Sequence, residues 1–149
     1  MTQTTIAPVT RKVTAGKPVE YALTALRLVS GFLFACHGAQ GLGAFGGVDG
    51  QGTAVPFGMW PGWWASVIEL VAGALICVGL GTRAAALVSS GVMAYAYFSV
   101  HQPVGLLPLQ NMGEPAALYA WIFLLIAAAG PGRLALSHLV NRKTSRSGS

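Results

Sequence analysis

The chain has 149 residues, of which 54% are hydrophobic and only 9% charged, with a net charge of +5. Soluble domains carry about a quarter of their residues as charges, so this composition excludes an ordinary soluble protein and points to an all-α integral membrane bundle. The positive balance does not indicate nucleic acid, because the nine Lys and Arg lie near both termini and at one turn, with a single one inside a helix, rather than along a face.

Residues 1–20, Thr-rich with Arg11, Lys12 and Lys17, read as a flexible cytoplasmic arm. A four-helix transmembrane domain is expected over 21–134, and an interfacial helix with a basic cytoplasmic tail over 135–149. The first helix, Tyr21 to Leu42, is nearly all apolar and long enough at ~1.5 Å per residue to cross a ~30 Å hydrocarbon core. Arg27, His37 and Gln40 interrupt it. A central Arg costs roughly 2.5–3.5 kcal/mol to insert, so it is expected to face a protein interior. The segment from Leu33 to Cys36 looks like a lipoprotein cleavage box, but Phe34 occupies the small-residue position and Arg27 breaks the apolar run before it. Cys36 and Cys77 fall at different depths, roughly 15 Å apart, and are expected as free thiols.

A Gly-rich loop then leads to Trp60, Trp63 and Trp64, which suit a membrane interface. The second helix, about 61–80, holds one acid, Glu69, and closes at Gly79, Gly81 and Arg83. The third, 84 to about 100, is rich in small residues that permit close helix approach. A polar loop from His101 to Glu114 contains Asn111, and the fourth helix runs from about 115 until Gly130-Pro131-Gly132 stops it at 129. Residues 133–140 form a short amphipathic pattern in which His138 is expected at the surface.

Every Lys and Arg except Arg27 lies in the N-terminal arm, at the Arg83 turn or after the fourth helix. Positive-inside asymmetry therefore places both termini in the cytoplasm, with the chain passing several times through the cell membrane. The stretches LRLVSGFL, at Leu26 to Leu33, and IELVAGAL, at Ile68 to Leu75, align without gaps on helices of opposite direction. Inverted repeats are common in transporters, although chance similarity is the more economical account in so apolar a chain.

The chain resembles the DoxX family of small four-helix membrane proteins over roughly Leu23 to Ser137. The resemblance rests on Arg27, Gly31 and Phe34, on His37 through Gln40, and on Glu69 through Gly73 with Gly79, Thr82 and Arg83. His101, Asn111 through Glu114, and Gly130 through Arg133 complete it. Gly41 departs from the pattern, since Lys often follows the Gln. The resemblance implies a four-helix fold and a membrane subunit associated with a quinone-linked or thiol- and sulfur-linked redox system, auxiliary to a partner oxidoreductase. Quinone is the cofactor it implies. The partners expected are lipid, the oxidoreductase and further copies of the chain, but not nucleic acid.

Counting rise per residue places His37 and Glu69 in the outer half of the membrane and Arg27 about 9 Å from the inner side. A candidate polar pocket therefore comprises Arg27, His37, Gln40, Glu69, His101, Asn111 and Glu114. In one reading Glu69 and His37 exchange protons with a ligand, being groups whose protonation can shift near neutrality. In the other, Arg27 and Glu69 are an ion pair that locks the bundle, with His37 as an interhelical hydrogen-bonding group. No catalytic residue is assignable and no metal site is expected: His37, Glu69 and His101 are scattered, without a local motif such as HExxH. The chain also lacks a CxxC, haem-attachment or phosphate-loop motif, which favours an accessory subunit over a self-sufficient enzyme. A small transporter or a lipid- or small-molecule-binding membrane protein is the alternative.

Overall fold

The computed structural model describes residues 16–138 and is all-α. Four α-helices, α1 (Lys17–Gly41), α2 (Gly62–Val78), α3 (Thr82–Ala96) and α4 (Glu114–Ala129), pack mainly as sequential antiparallel neighbours. A five-residue π-helical turn, Tyr97–His101, extends α3. The expected arm and basic tail fall mostly at 1–15 and 139–149, outside the described residues. α1 starts four residues before the expected Tyr21, because Pro18, whose missing N–H is not needed in a first turn, and Glu20 suit a helix start.

α1 and α2 form the most extensive contact in the bundle, and small residues control it. A Cβ on Gly31 would lie 2.7 Å from the Cys77 nitrogen, and one on Gly73 would lie 2.8 Å from the Gly31 carbonyl. About two turns further out, a Cβ on Gly38 would collide with the backbone of Leu70 and Ser66. The two backbones therefore touch over two helical turns, an approach that only residues lacking a side chain permit. It also sets the register: moving outward from Gly31 to Gly38 on α1 corresponds to moving back from Cys77 to Leu70 on α2.

The α2–α3 turn is tight, with Gly79 in the left-handed region (φ 78°) and its N–H bonded to the Leu75 carbonyl at 3.0 Å. α3 and α4 are then tied by the Ser90 hydroxyl, which donates to the Ala120 carbonyl at 2.8 Å. Phe34, Ile76, Ala86, Phe123 and Ile126 form the central apolar core, and Phe34 meets Phe123 at 4.7 Å between ring centroids.

Around that apolar core the helices bury polar groups and expose apolar ones more than a water-soluble bundle does. Thr24, Arg27, Ser30, Ser66, Glu69, Thr82 and Ser89 are buried, whereas Val29, Phe32, Val71, Leu87, Leu118, Trp121 and Leu125 are exposed on the outer faces. Trp121, in the middle of α4, is 73% exposed. Among the described helices α1 alone, at 25 residues, is long and apolar enough to cross a membrane by length and composition; α2 and α4 are apolar but have 17 and 16 residues.

The loop after α1 is structured. Asp49 accepts hydrogen bonds from the Gln51 and Thr53 backbone N–H groups at 2.9 and 3.2 Å and from the Thr53 hydroxyl. The Thr53 hydroxyl and these two amides hold the Asp49 carboxyl below its ordinary pKa. The Val55 N–H bonds back to the Gly41 carbonyl at 2.8 Å, so the loop returns the chain to the end of α1 before α2 begins. Trp63 lies between Phe57 and Trp64, at 4.7 and 5.0 Å between ring centroids, and Trp60 meets Tyr95 edge-on.

Two glycines distinguish packing from propensity. Gly38→Leu should separate α1 from α2 and cost about 1–3 kcal/mol or more by overpacking. Gly91→Ala, on an open face of α3 where nothing lies within 4 Å of an added Cβ, should be neutral or stabilise by about 0.4–1 kcal/mol. Thermal unfolding in detergent checks both, and equal melting temperatures for the two variants would contradict the close-packed seam.

Candidate functional site

The α1–α2 register brings His37 level with Glu69. His37 Nδ1 and Glu69 Oε2 are 2.8 Å apart, and the pair spans inside to outside: the Glu69 side chain is 5% exposed and that of His37 69%. A carboxylate only accepts hydrogen bonds, so Nδ1 carries the proton and Nε2 is the free ring nitrogen, directed away from the pair. Burying a carboxylate without a partner is expensive, and here its side-chain partner is a group whose charge changes by taking up one proton at Nε2.

A cavity of about 230 Å³ lies beside the pair. His37, Glu69 and His101 supply its polar lining, and Phe34, Met93, Ala96, Met112, Pro115, Ala116 and Tyr119 the rest. His101 is held by its Nδ1, which donates to the Asn111 carbonyl at 3.0 Å and so leaves Nε2 as the acceptor. Asn111 is buried; its side chain donates to the Gly105 carbonyl at 2.7 Å and accepts from the Gly113 N–H at 2.8 Å. Its work is to fold the loop that holds His101. Gln40 similarly donates to the Gly47 carbonyl at 3.1 Å, anchoring the loop after α1, and lines a second cavity of about 370 Å³ with Leu33, Cys36, His37, Phe45 and Tyr119. Glu114, exposed in the first turn of α4, lines neither of these but borders a groove between α1 and α4. Cys36 and Cys77 are both free thiols.

Arg27 does not join this constellation, and the expected Arg27–Glu69 ion pair is replaced by two separate arrangements. The register that sets His37 against Glu69 sets Arg27, almost three turns further in, against the C-terminal end of α2. There its guanidinium, 1% exposed, donates to the Ile76 carbonyl at 3.1 Å and to the Leu134 carbonyl. It caps the C-terminal turn of α2, where the Ile76 carbonyl also accepts from the Gly79 N–H at 3.1 Å, and fastens the segment after α4 beneath it. Arg83 does the same for α4, donating to the carbonyls of Ala127 and Ala128 at 2.8 and 2.7 Å. The Arg133 N–H donates to the Thr24 hydroxyl at 3.2 Å, and the Arg133 guanidinium sits 3.7 Å from Glu20. His138 is exposed, and its Nε2 donates to the Gly132 carbonyl at 3.0 Å.

The DoxX family model matches residues 22–102, which contain Arg27, His37, Glu69 and His101. The chain belongs to the DoxX family. A protein of Haemophilus influenzae described as uncharacterized is 37% identical to this DoxX protein over 131 residues, covering 83% of this chain and 93% of that one. No solved structure matches the chain.

The cavity residues that sequence reasoning missed are Tyr119, Met93 and Met112. Tyr119 carries the one hydroxyl in α4 and lines all the cavities described above, as well as the groove. Its isolation in an otherwise apolar helix was a usable signal. Met93 gave none, since a methionine in an apolar helix is ordinary core. Met112 adopts φ 54°, which an L residue rarely does, and no sequence feature announces that. Among the described residues, no group of three or more His, Cys, Asp or Glu side chains is placed to hold a metal ion.

The separation of the two charged sites predicts their coupling. In double-mutant cycles measured by unfolding in detergent, Arg27→Gln and Glu69→Gln should add to within about 0.3–0.5 kcal/mol, as distant sites do, whereas His37→Gln and Glu69→Gln should couple by more than that. Arg27→Gln should also raise protease access to the segment around Leu134. A large Arg27–Glu69 coupling would restore the ion pair in place of the two separate arrangements.

Proposed function

We propose that this DoxX protein is a multi-pass membrane subunit of a quinone-linked redox system, auxiliary to a partner oxidoreductase, and that His37 and Glu69 form its proton-handling site. The membrane reading is supported by the apolar surface, with Val29, Phe32, Leu87 and Trp121 outside and Arg27 and Glu69 buried beside the apolar core. Helices of 16 and 17 residues reach about 24–26 Å at ~1.5 Å per residue, near the short end of what spans a bilayer. α3 gains the length it needs from the π-helical turn at Tyr97–His101.

The orientation is supported by the described basic residues, Lys17, Arg27, Arg83 and Arg133, which gather toward the end of the bundle where α1 begins and α4 finishes. That end faces the cytoplasm by the positive-inside rule, and the His37–Glu69 cavity then lies in the outer half of the cell membrane.

The observation that carries the function is a buried carboxylate joined through one imidazole to an exposed ring nitrogen, beside a cavity lined otherwise by apolar and aromatic groups. Intramembrane carboxylates and histidines mark functional sites by default, and proton relays are one use of that pair of groups. Reducing a quinone to its quinol consumes two electrons and two protons. The partner oxidoreductase supplies or removes the electrons, and the His37 imidazole passes protons between the cavity and the outer surface, with Glu69 holding it in one tautomer and stabilising its cation. His101 presents a second acceptor nitrogen to the same space.

Glu69→Gln preserves shape and a hydrogen bond to His37 while removing the titration, so it should accumulate in membranes to normal levels yet fail to restore respiration-linked growth or oxidant resistance in a deletion strain. His37→Gln should do the same less severely. Mass spectrometry of the gently purified protein should find a quinone or a stably associated oxidoreductase. Full complementation by well-expressed Glu69→Gln would make the pair structural, and substrate uptake into liposomes by the lone protein would favour a transporter.

A further inference from the structure

The seam between α1 and α4 is far less extensive than α1–α2 or α3–α4, and where the two helices diverge they leave a groove of about 360 Å³. Leu26, Val29, Leu33, Leu118 and Ile122 make most of its walls apolar, and the exposed Glu114, in the first turn of α4, borders it as its one carboxylate. Ser30, also in the wall, already donates its hydroxyl proton to the Leu26 carbonyl, so it asks for no polar ligand. From Leu26 to Leu33 the groove follows α1 for about 10 Å, ending one turn below His37.

The groove is not isolated from the polar site. Tyr119 lines the groove and both cavities at His37, Pro115 is shared with the cavity holding Glu69, and Leu33 with the one holding Cys36. A single ring thus stands where an apolar channel open to the side of the bundle meets a pocket whose polar atoms belong to His37, Glu69 and His101. Val29 and Leu118, at 59% and 55% exposure, border the outer face of this channel, the face that meets hydrocarbon.

We propose that the ligand is an amphiphile that enters sideways from the bilayer between α1 and α4, its hydrocarbon tail lying in the α1–α4 groove and its polar head beside His37 and Glu69, with Tyr119 at the junction. This rests on the reading of the His37–Glu69 pocket given above and adds to it the route and the tail. A water-soluble ligand of the same head would have no use for the groove. The class indicated is a lipid-soluble compound with a hydrogen-bonding head and a hydrocarbon chain, of which the quinone of the reading above is one.

The full-length protein in lipid nanodiscs carries its own reporter, since Cys36 lines the second cavity, which shares His37 and Tyr119 with the cavity beside Glu69 and Leu33 with the groove. In a Cys77→Ser background, the rate of Cys36 alkylation by a maleimide is measured against two fully substituted quinones to which thiols do not add, a decyl-tailed benzoquinone and tetramethylbenzoquinone. Both should protect Cys36, the tailed one at about tenfold lower concentration or better. Val29→Trp and Leu118→Trp, which fill the groove from its lipid side, should reduce that advantage about tenfold while tetramethylbenzoquinone protects as before.

Persistence of the full tail advantage in both tryptophan variants overturns the lateral route and leaves the head pocket standing. Failure of either quinone to protect Cys36 in the parent protein overturns the pocket reading and the route together. Efficient disulfide cross-linking of Val29→Cys between two chains would show that a second copy fills the groove, which also overturns the proposal.

Discussion

The contact on which the rest of this protein depends is the one between the backbones of α1 and α2. Gly31 and Gly38 on one helix, and Gly73 with the backbone near Ser66 and Cys77 on the other, allow an approach that any side chain would prevent. Such close approach gives the two helices van der Waals contact along their main chains, an attraction that does not depend on the surrounding solvent. It also defines a single register. A shift of one turn, about 5.4 Å, would part Nδ1 of His37 from the Glu69 carboxylate and leave a charge buried alone.

That register gives the two ends of the bundle different chemistry. At the end with the termini, arginines terminate helices: Arg27 closes α2 and holds the chain at Leu134, and Arg83 closes α4. Guanidinium groups suit this because several donors on one rigid plane reach several carbonyls at once, and a cation is favoured at the negative end of a helix dipole. These two guanidinium groups thereby meet main-chain oxygen, whereas Arg133 at the same end lies 3.7 Å from the Glu20 carboxylate. At the other end the polar groups are titratable or neutral, and they surround empty space. Membership of the DoxX family covers both ends, since the matched residues include Arg27 and Arg83 as well as His37, Glu69 and His101.

The pocket end is less tightly built than the arginine end, and the reason is local. α3 ends in a π-helical turn, a feature frequent at functional sites, and Met112 and Phe45 are held at φ 54° and 53° on the two sides of His37 and Tyr119. Each presents a large apolar side chain, 81% and 75% exposed, at a cavity rim.

Helix number and position were legible in the sequence because apolar runs of 15 to 25 residues are broken by Gly, Pro and charged residues, and each such break has a local cause. The burial of Arg27 and Glu69 was legible too, since neither group is tolerated against hydrocarbon. Their partners were not. Arg27 bonds to main-chain oxygens, one of them 107 residues away at Leu134, and a carbonyl has no letter in a sequence. The pairing of His37 with Glu69 needed the relative height of two helices, which glycine contacts decide to within a turn and residue counting does not. Tyr119 could be seen as the lone hydroxyl of α4, but its place at the junction of groove and pocket depends on how far α1 and α4 diverge, and only tertiary packing sets that distance.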